Sequence, residues 1–218
     1  MQTNNPSLQD IQHIKTMMER SSRFISLSGL SGIAAGICAL IGAWVAGPYV
    51  FGYKDYMINQ REAVVQALAN NYSIIFNTWL FWIAFATFSA ALVSAFFFTW
   101  LRSKKQGTSL WGSTSKRLLF NIAIPLVVGG LFIIKLAEKG AFGLIAPGCL
   151  IFYGLALLNA SKYTFIEIRY LAIGQLLLGI INMWFVGYGL YFWAIGFGVL
   201  HIVYGALMWN KYERSKQA

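Results

Sequence analysis

The chain of 218 residues is 58% hydrophobic and only 11% charged, and it carries a net charge of +10. Soluble domains average about 45–50% apolar and about 25% charged residues, so a water-soluble globule of this length cannot enclose so much apolar surface. The composition therefore excludes a soluble globule and a disordered chain, and it predicts that the excess apolar surface faces lipid. The positive charges lie between apolar stretches, which indicates topology signals and contacts with anionic lipid headgroups rather than nucleic-acid binding.

Residues 1–23 predict an amphipathic helix that lies on the cytoplasmic surface of the membrane. Ser7 and Asp10 resemble a capping box at its start, and apolar side chains recur on one stripe at helical spacing. These side chains are Leu8, Ile11, Ile14 and Met18. A docking face for a partner is the alternative interpretation. No cleavable signal peptide is visible, so we expect the first span to act as the signal anchor.

Charge-free apolar stretches predict six transmembrane helices, because about 20 apolar residues cross a bilayer. They lie at about 24–46, 73–101, 118–137, 141–161, 166–186 and 189–210. Gly47 and Pro48 are expected to end the first span, and the Gly187-Tyr188-Gly189 sequence to form the turn between the last two. The segment around Val65 either extends the second span outward or forms a short amphipathic helix. The predicted fold class is an all-α membrane protein with one six-helix domain over 24–217.

The distribution of basic residues predicts that both termini lie in the cytoplasm. Of the 17 Lys and Arg residues, four fall in the connections on the opposite side, namely Lys54, Arg61, Lys135 and Lys139. Because cytoplasmic loops carry an excess of Lys and Arg, the segments with the other thirteen are expected inside. The predicted location is the plasma (inner) membrane, crossed several times, with the lipid bilayer and anionic headgroups as partners.

The last predicted span repeats part of the fourth. The sequence IVYGALMWNKY near the end of the chain aligns with IFYGLALLNASKY, so that Tyr153-Gly154 falls on Tyr204-Gly205. This repeat predicts three consecutive helical hairpins, formed by spans 1–2, 3–4 and 5–6 in parallel orientation. A chance alignment of apolar sequences is the alternative.

Four glycines are candidates for close helix packing, because helices in lipid associate through small residues. Gly32 and Gly36 form a GxxxG step on the first span, and Gly154 and Gly205 hold equivalent places in the repeat. We expect these contacts inside one bundle, and a homo-oligomeric contact is the alternative.

His201 is the only histidine inside a predicted span. It lies about nine residues from the cytoplasmic end of that span, roughly 13 Å deep in a core of ~30 Å. An ionisable group at this depth is a candidate for binding a proton or a ligand, and the repeat places Leu150 at the equivalent position. The alternative is a packed neutral histidine bonded to Thr87, Ser89 or a backbone carbonyl of a neighbouring helix. Haem is disfavoured, since the other histidine, His13, lies outside the membrane.

Further polar candidates are Glu167, Arg169, Asn182 and Asn77. Glu167 is expected to pair with a lysine from another connection, or indirectly with Arg169. These side chains form either interfacial anchors and helix-to-helix hydrogen bonds or a polar vestibule for a substrate. The sequence indicates no metal site, cofactor or catalytic residue, since both cysteines lie inside apolar runs and known catalytic motifs are missing.

Two functions fit these features, and neither is enzymatic. The first is a small transporter or permeation unit in which His201 and the intramembrane amides line a polar path. The second is a structural or sensory membrane protein that contacts a partner or anionic lipid through its N-terminal helix and basic loops. A membrane enzyme is the third alternative. In composition the chain resembles small six-span bacterial membrane proteins built of glycine-punctuated hairpins, a resemblance that names no family.

Overall fold

The computed structural model describes residues 28–70, 79–107 and 111–214, with the backbone alone for 52–70 and 106. The predicted amphipathic helix of residues 1–23 and the candidate Asn77 lie outside the described residues. The described part folds into helices and the short turns that join them, which confirms the all-helical class for that part of the chain.

Six helices follow one another in the described ranges. They are α1 (Gly29–Asn70), α2 (Trp79–Gln106), α3 (Ser113–Glu138), α4 (Ile145–Ala160), α5 (Glu167–Trp184) and α6 (Gly189–Tyr212). α6 starts as an α-helix at Gly189–Trp193, widens into a π-helix at Ala194–Leu200 and ends as an α-helix at His201–Tyr212. A 3-10 turn at Phe142–Leu144 leads into α4. Gly187, with φ at 101°, takes a backbone conformation that favours glycine and lies in the predicted turn between α5 and α6.

Five helical segments are long and apolar enough to cross a membrane. They are Gly29–Phe51, Trp79–Lys105, Ser113–Glu138, Phe142–Ala160 and Gly189–Tyr212. The structure is therefore compatible with a multi-pass membrane protein. α5 is 18 residues long and contains Glu167, Arg169, Gln175 and Asn182, which make it more polar than the others. Its passage across the membrane, and with it the count of six spans, stays a prediction.

The first helix is longer than the sequence predicted. Gly47 and Pro48 do not end it, because the helix continues through Pro48 to Asn70. Proline lacks one backbone donor and crowds the preceding turn, yet a long helix tolerates it at some cost in stability. The residues around Val65 therefore belong to α1, rather than to an extension of the second span or to a separate helix.

α1 and α4 are each flanked by two helices. α1 packs on α2 and α6, and α4 packs on α3 and α5. α6 also contacts α4 and α5. Consecutive helices form close pairs in α1–α2 and in α3–α4, whereas α5 has its most extensive contacts with α4, and α6 with α1. The arrangement as three hairpins stays a prediction for this reason.

Glycines bring the backbones of α1 and α6 into close contact. A Cβ atom added to Gly32 would lie 3.1 Å from Cα of Gly205, and one added to Gly36 would lie 2.6 Å from the carbonyl oxygen of Gly198. A Cβ atom on Gly205 would lie 2.5 Å from the carbonyl oxygen of Gly29. These neighbouring atoms belong to the backbone, so a side chain at these positions would push the two helices apart.

Gly154 has the matching role between α4 and α5. A Cβ atom there would lie 2.8 Å from Cγ of Leu176 and 3.1 Å from the carbonyl oxygen of Ala172. Gly154 and Gly205 are equivalent in the sequence repeat, and each is in close contact with a neighbouring helix. The four glycines selected from the sequence all lie at contacts between helices of the same chain.

Large apolar side chains cover the outer faces of α2 and α3. Trp82, Phe85 and Leu92 on α2 are more than half exposed, and so is Leu131 on α3. An apolar surface of this extent would make a protein aggregate in water, whereas hydrocarbon chains solvate it. These faces are compatible with contact to lipid. The buried polar groups lie instead in the contacts between helices.

Candidate functional site

His201 lies at the first position after the π-helical segment of α6, and 6% of it is exposed. Its Nδ1 is 3.0 Å from the carbonyl oxygen of Gly196, and its Nε2 is 2.8 Å from the hydroxyl of Tyr153 on α4. A carbonyl oxygen only accepts, so Nδ1 must carry a hydrogen and donate it. In the neutral ring Nε2 is then an acceptor, and the Tyr153 hydroxyl donates to it.

Neither hydroxyl that the sequence suggested as a partner of His201 has that role. The Thr87 hydroxyl donates to the carbonyl oxygen of Ile83 in its own helix at 2.8 Å. Ser89 has no hydrogen bond to His201 in the described part of the chain, where both ring nitrogens bond to other atoms. The backbone carbonyl that bonds to the ring belongs to Gly196 of the same helix rather than to a neighbouring helix, and the Tyr153 hydroxyl is a partner that the sequence did not predict.

The Gly196 carbonyl oxygen accepts a second hydrogen bond, from Nε2 of Gln175 on α5 at 2.8 Å. A π-helix is rare, and its wider turn is often found at functional sites. A Cβ atom at Gly196 would lie 2.7 Å from Oε1 of Gln175 and 2.5 Å from Cδ2 of Leu150. Glycine at this position thus allows α4 and α5 to approach the backbone of the π-helical segment.

Two fully buried amides lie along α5, at Gln175 and Asn182. They are seven residues apart, so they share one face of the helix. Nδ2 of Asn182 donates to the carbonyl oxygen of Phe185 at 3.3 Å. The amide oxygens Oε1 of Gln175 and Oδ1 of Asn182 are buried and have no hydrogen-bond partner among the described residues.

Tyr204 is the repeat equivalent of Tyr153, and its hydroxyl has a different environment. The hydroxyl oxygen is buried and finds no hydrogen-bond partner in the described ranges. Tyr204 lies one helical turn after His201 on α6 and packs against the buried cluster of Leu118, Ala160 and Ile168, the last of which is next to Glu167 in the chain. It therefore lies between the histidine and the charged groups at one end of the bundle.

Glu167 joins the start of α5 to the end of α6. Its Oε1 accepts hydrogen bonds from Nζ of Lys211 at 2.5 Å and from the hydroxyl of Tyr212 at 2.8 Å. Its Oε2 is buried and has no hydrogen-bond partner in the described part. The lysine expected from another part of the chain is thus Lys211, while Arg169 is exposed.

A second carboxylate, that of Glu213, lies at the same end of the bundle. Its Oε1 accepts from Nη1 of Arg102 at 3.0 Å, from the backbone N–H of Gly29 at 2.6 Å and from the hydroxyl of Ser28 at 3.1 Å. Arg102 is 7% exposed. A negative charge at the start of α1 also balances the positive end of the helix dipole. No sequence signal pointed to this cluster, because its members come from the start of α1, from α2 and from the residue after α6.

The polar groups between α4, α5 and α6 form what we call the buried polar chain, which consists of Asn182, Gln175, His201, Tyr153, Tyr204 and Glu167. The candidates His201, Asn182 and Glu167 belong to it, whereas Arg169 does not. Tyr153 and Tyr204 had one sequence signal, the repeated Tyr-Gly pair. No group of three or more His, Cys, Asp or Glu side chains that could hold a metal comes together in the described ranges.

The fold and the site define an all-helical protein with several membrane-compatible helices and a buried polar chain where three of them meet. Comparisons with known protein families, with curated proteins and with solved structures found no match for this chain. Its function is therefore inferred from the chemistry of the site.

Proposed function

We propose that the protein is a non-enzymatic transporter or permeation unit for a small polar species. It crosses a bacterial-type plasma membrane six times, with both termini in the cytoplasm and further copies of itself as partners. The observation that carries the proposal is the buried polar chain. It extends from Asn182 through His201 to Glu167, in helices whose outer faces are apolar.

The unpartnered atoms of the buried polar chain favour a path over a purely structural core. Burying a polar group without a hydrogen bond costs roughly 1–3 kcal/mol in proteins, and buried polar atoms therefore find partners almost without exception. Four such atoms lie in this chain, on Gln175, Asn182, Tyr204 and Glu167, and none has a partner among the described residues. A small polar solute or a proton that moves along the chain would supply the missing hydrogen bonds.

Passage of a small polar solute along this path requires α6 to move relative to α4 and α5. His201 is 6% exposed and both of its nitrogens bond to neighbouring helices or backbone, so the path is closed at its middle. The π-helical segment with Gly196 and Gly198 offers a place for the movement, because glycine permits changes of backbone conformation.

The test is permeation in liposomes that contain the purified full-length chain. Urea and glycerol uptake is followed by light scattering, and proton uptake by an enclosed pH-sensitive dye. We expect Gln175→Leu to reduce the permeation of the species that passes about tenfold or more, since it removes a hydrogen bond worth about 1 kcal/mol and the polar lining. Leu177→Ala, on the exposed face of the same helix, is the matched control and should keep the wild-type rate. Wild-type vesicles no more permeable than protein-free vesicles would contradict the proposal.

The second candidate, a structural or sensory protein, is favoured by the Glu213 cluster. The carboxylate holds the start of α1, directly after the N-terminal segment, against Arg102 of α2. A partner or anionic lipid that displaced the N-terminal segment would disturb the ion pair between Arg102 and Glu213. Deletion of residues 1–20 should then abolish binding to vesicles with anionic lipid, while membrane insertion continues. If insertion fails instead, the segment serves topology alone.

A further inference from the structure

We infer that the species handled by the buried polar chain is the proton, that Nε2 of His201 binds it, and that the Tyr153 hydroxyl passes it on. This inference rests on the proposed function, because it names the species that moves along the path. It starts from the two hydrogen bonds of the His201 ring, which leave one nitrogen able to gain a proton.

The hydrogen bonds of His201 determine where a proton binds. Nδ1 already carries a hydrogen, which it donates to the Gly196 carbonyl oxygen at 3.0 Å. Nε2 holds the lone pair, and the Tyr153 hydroxyl donates to it at 2.8 Å. An added proton must therefore bond to Nε2, after which both ring nitrogens are donors.

The exchange moves a proton and nothing else. The Tyr153 oxygen takes up a proton from the path and the hydroxyl gives its own hydrogen to Nε2, so one O–H bond breaks while a new O–H bond and an N–H bond form. The Tyr153 oxygen then accepts from Nε2, and the Nδ1 bond to Gly196 stays as it was. On release, Nε2 returns its proton to the Tyr153 oxygen, which gives its other hydrogen to the next acceptor of the path, and the neutral ring and the original direction of the Tyr153 bond return.

The repeat shows that the fold does not need a polar side chain at this level. Leu150, the equivalent of His201 in α4, is fully buried and packs against the Gly196 position. An apolar side chain thus packs at the same membrane depth in a neighbouring helix, so packing there does not require a polar group. A histidine in the interior of a membrane protein is rare and is a candidate functional residue by default.

The neighbours of His201 favour a proton over a metal ion or a larger solute. A metal needs several ligands, and the described residues bring no second histidine, thiol or carboxylate to the ring. A solute needs space, whereas the ring stacks with Phe197 at 6.1 Å and packs at a tilt of 35° against Tyr153 at 5.4 Å between centroids. A proton passes along hydrogen bonds by rotation of hydroxyl groups, without opening such packing.

Three helices, α1, α4 and α5, pack against this part of α6. α4 contributes Tyr153, α5 contributes Gln175 through the shared Gly196 carbonyl, and α1 contributes the backbone beside Gly32. On α6 itself the nearest titratable group along the helix is Tyr204. Both tyrosines are neutral phenols at physiological pH, and no described carboxylate or cation forms a hydrogen bond or ion pair with the ring, so the proton carries the only change of charge there.

One end of the proton path is indicated by Tyr204 and Glu167. Tyr204 lies one helical turn after His201 on α6, and its buried hydroxyl has no partner in the described part. The side chain of Glu167 is 18% exposed, so it connects the chain to the surface at that end. At the other end, the buried amide oxygens of Gln175 and Asn182 can accept hydrogen bonds from water molecules along the path.

The first test measures proton flux through the full-length chain in liposomes. The vesicles enclose a pH-sensitive dye, and potassium with valinomycin balances the charge after a step in external pH. We expect His201→Gln, whose amide does not bind a proton, to lower the rate to that of protein-free vesicles. Tyr153→Phe should lower it about tenfold, because it removes one hydrogen bond of the relay. Val203→Ala changes an exposed apolar residue of the same helix and should keep the wild-type rate.

The second test measures the protonation state of the His201 ring and leaves the residues of the site unchanged. The chain with His13→Gln has one histidine, and ¹⁵N NMR of that ring should show hydrogen on Nδ1 alone at high pH and protonation of Nε2 as the pH is lowered within the range in which the protein stays folded. A ring that stays neutral throughout would overturn the inference, even if the site variants fail to fold.

The outcomes separate this inference from the proposed function. If wild-type vesicles pass urea or glycerol but protons no faster than protein-free vesicles, the proton inference fails and the permeation function stands. If folded His201→Gln keeps the wild-type proton flux, the inference fails as well. If wild-type vesicles pass neither protons nor urea or glycerol faster than protein-free vesicles, both the proton inference and the proposed function fail.

Discussion

The hydroxyl of Tyr153 in α4 donates a hydrogen bond of 2.8 Å to Nε2 of His201 in α6. The two residues are 48 positions apart in the chain, and their ring centroids are 5.4 Å apart. The bond fixes which nitrogen of the histidine accepts, and it ties α6 to α4 at the π-helical segment. It therefore has a structural consequence that is measurable apart from any transport.

Replacement of Tyr153 by phenylalanine removes this hydroxyl and leaves Nε2 of His201 without its donor. We expect Tyr153→Phe to lower the free energy of unfolding by about 1 kcal/mol, the size typical of a hydrogen bond between helices in a membrane. Tyr170→Phe, at a position 71% exposed, is the control and should change little. Thermal unfolding in detergent measures both. Equal stability of the two variants would mean that the bond contributes nothing to the fold.

A methyl group at Gly205 should force α1 and α6 apart. Its Cβ atom would lie 2.5 Å from the carbonyl oxygen of Gly29 and 2.6 Å from the backbone nitrogen of Ile33. We expect Gly205→Ala to destabilise the protein by about 1–3 kcal/mol, the usual penalty of overpacking.

Gly130 offers a matched control for the Gly205 variant, because the same substitution meets no atom within 4 Å there. Gly130→Ala should be neutral or stabilising by up to about 1 kcal/mol, since alanine favours a helix over glycine. Melting temperatures of the two variants test the difference. A Gly205→Ala protein as stable as Gly130→Ala would show that the close contact of α1 and α6 is wrong.

The ion pair of Arg102 and Glu213 should contribute more to stability than an exposed pair. Glu213→Gln removes the charge but keeps an oxygen for the Gly29 N–H, and we expect a loss of about 3 kcal/mol, because the buried guanidinium loses its carboxylate. Arg102→Met in the same chain should restore part of that loss.

The pair of Lys135 and Glu138 is the comparison, with the lysine side chain 70% exposed. Glu138→Gln should cost about 1 kcal/mol or less, since solvent screens exposed ion pairs. Unfolding of all three variants is followed at low and high salt. If Glu213→Gln costs no more than Glu138→Gln, the buried pair does not hold the helix ends together.

The topology has a direct test at the two ends of α3. With the native cysteines replaced, Lys139→Cys should react with a membrane-impermeant maleimide added outside cells, and Gly112→Cys only after the membrane is opened. Fluorescent protein fused to either terminus should be fluorescent, as expected in the cytoplasm. Termini on opposite sides would show that α5 does not cross the membrane and that the count of six spans is wrong.

Local sequence properties were sufficient for the class of the fold. Apolar length and charge-free stretches depend on neighbouring residues alone, so they predict membrane-spanning helices without knowledge of their contacts. The turn at Gly187 between α5 and α6 was predictable in the same way, because the backbone conformations open to glycine depend on that residue alone. Pro48 shows where such reasoning fails, since a single helix-breaking residue did not stop a helix that continues on both sides of it.

The candidate site was predicted only in part. His201, Glu167 and Asn182 stood out because polar groups are costly inside a membrane. Gln175 had the same signal as Asn182, but its importance came from its hydrogen bond to the Gly196 carbonyl. A π-helical segment has no clear pattern in the sequence, so the acceptor could not be foreseen.

The sequence by itself determined that this chain forms apolar helices suited to a bilayer, with small residues where helices can approach. The tertiary structure decided which polar groups meet. Tyr153 reaches His201 across 48 residues, and Arg102 reaches Glu213 across 111. The physical reason is that helix formation and burial in lipid follow from local composition, whereas a hydrogen bond between helices depends on their rotation and depth. Those are set by the summed packing of all the helices.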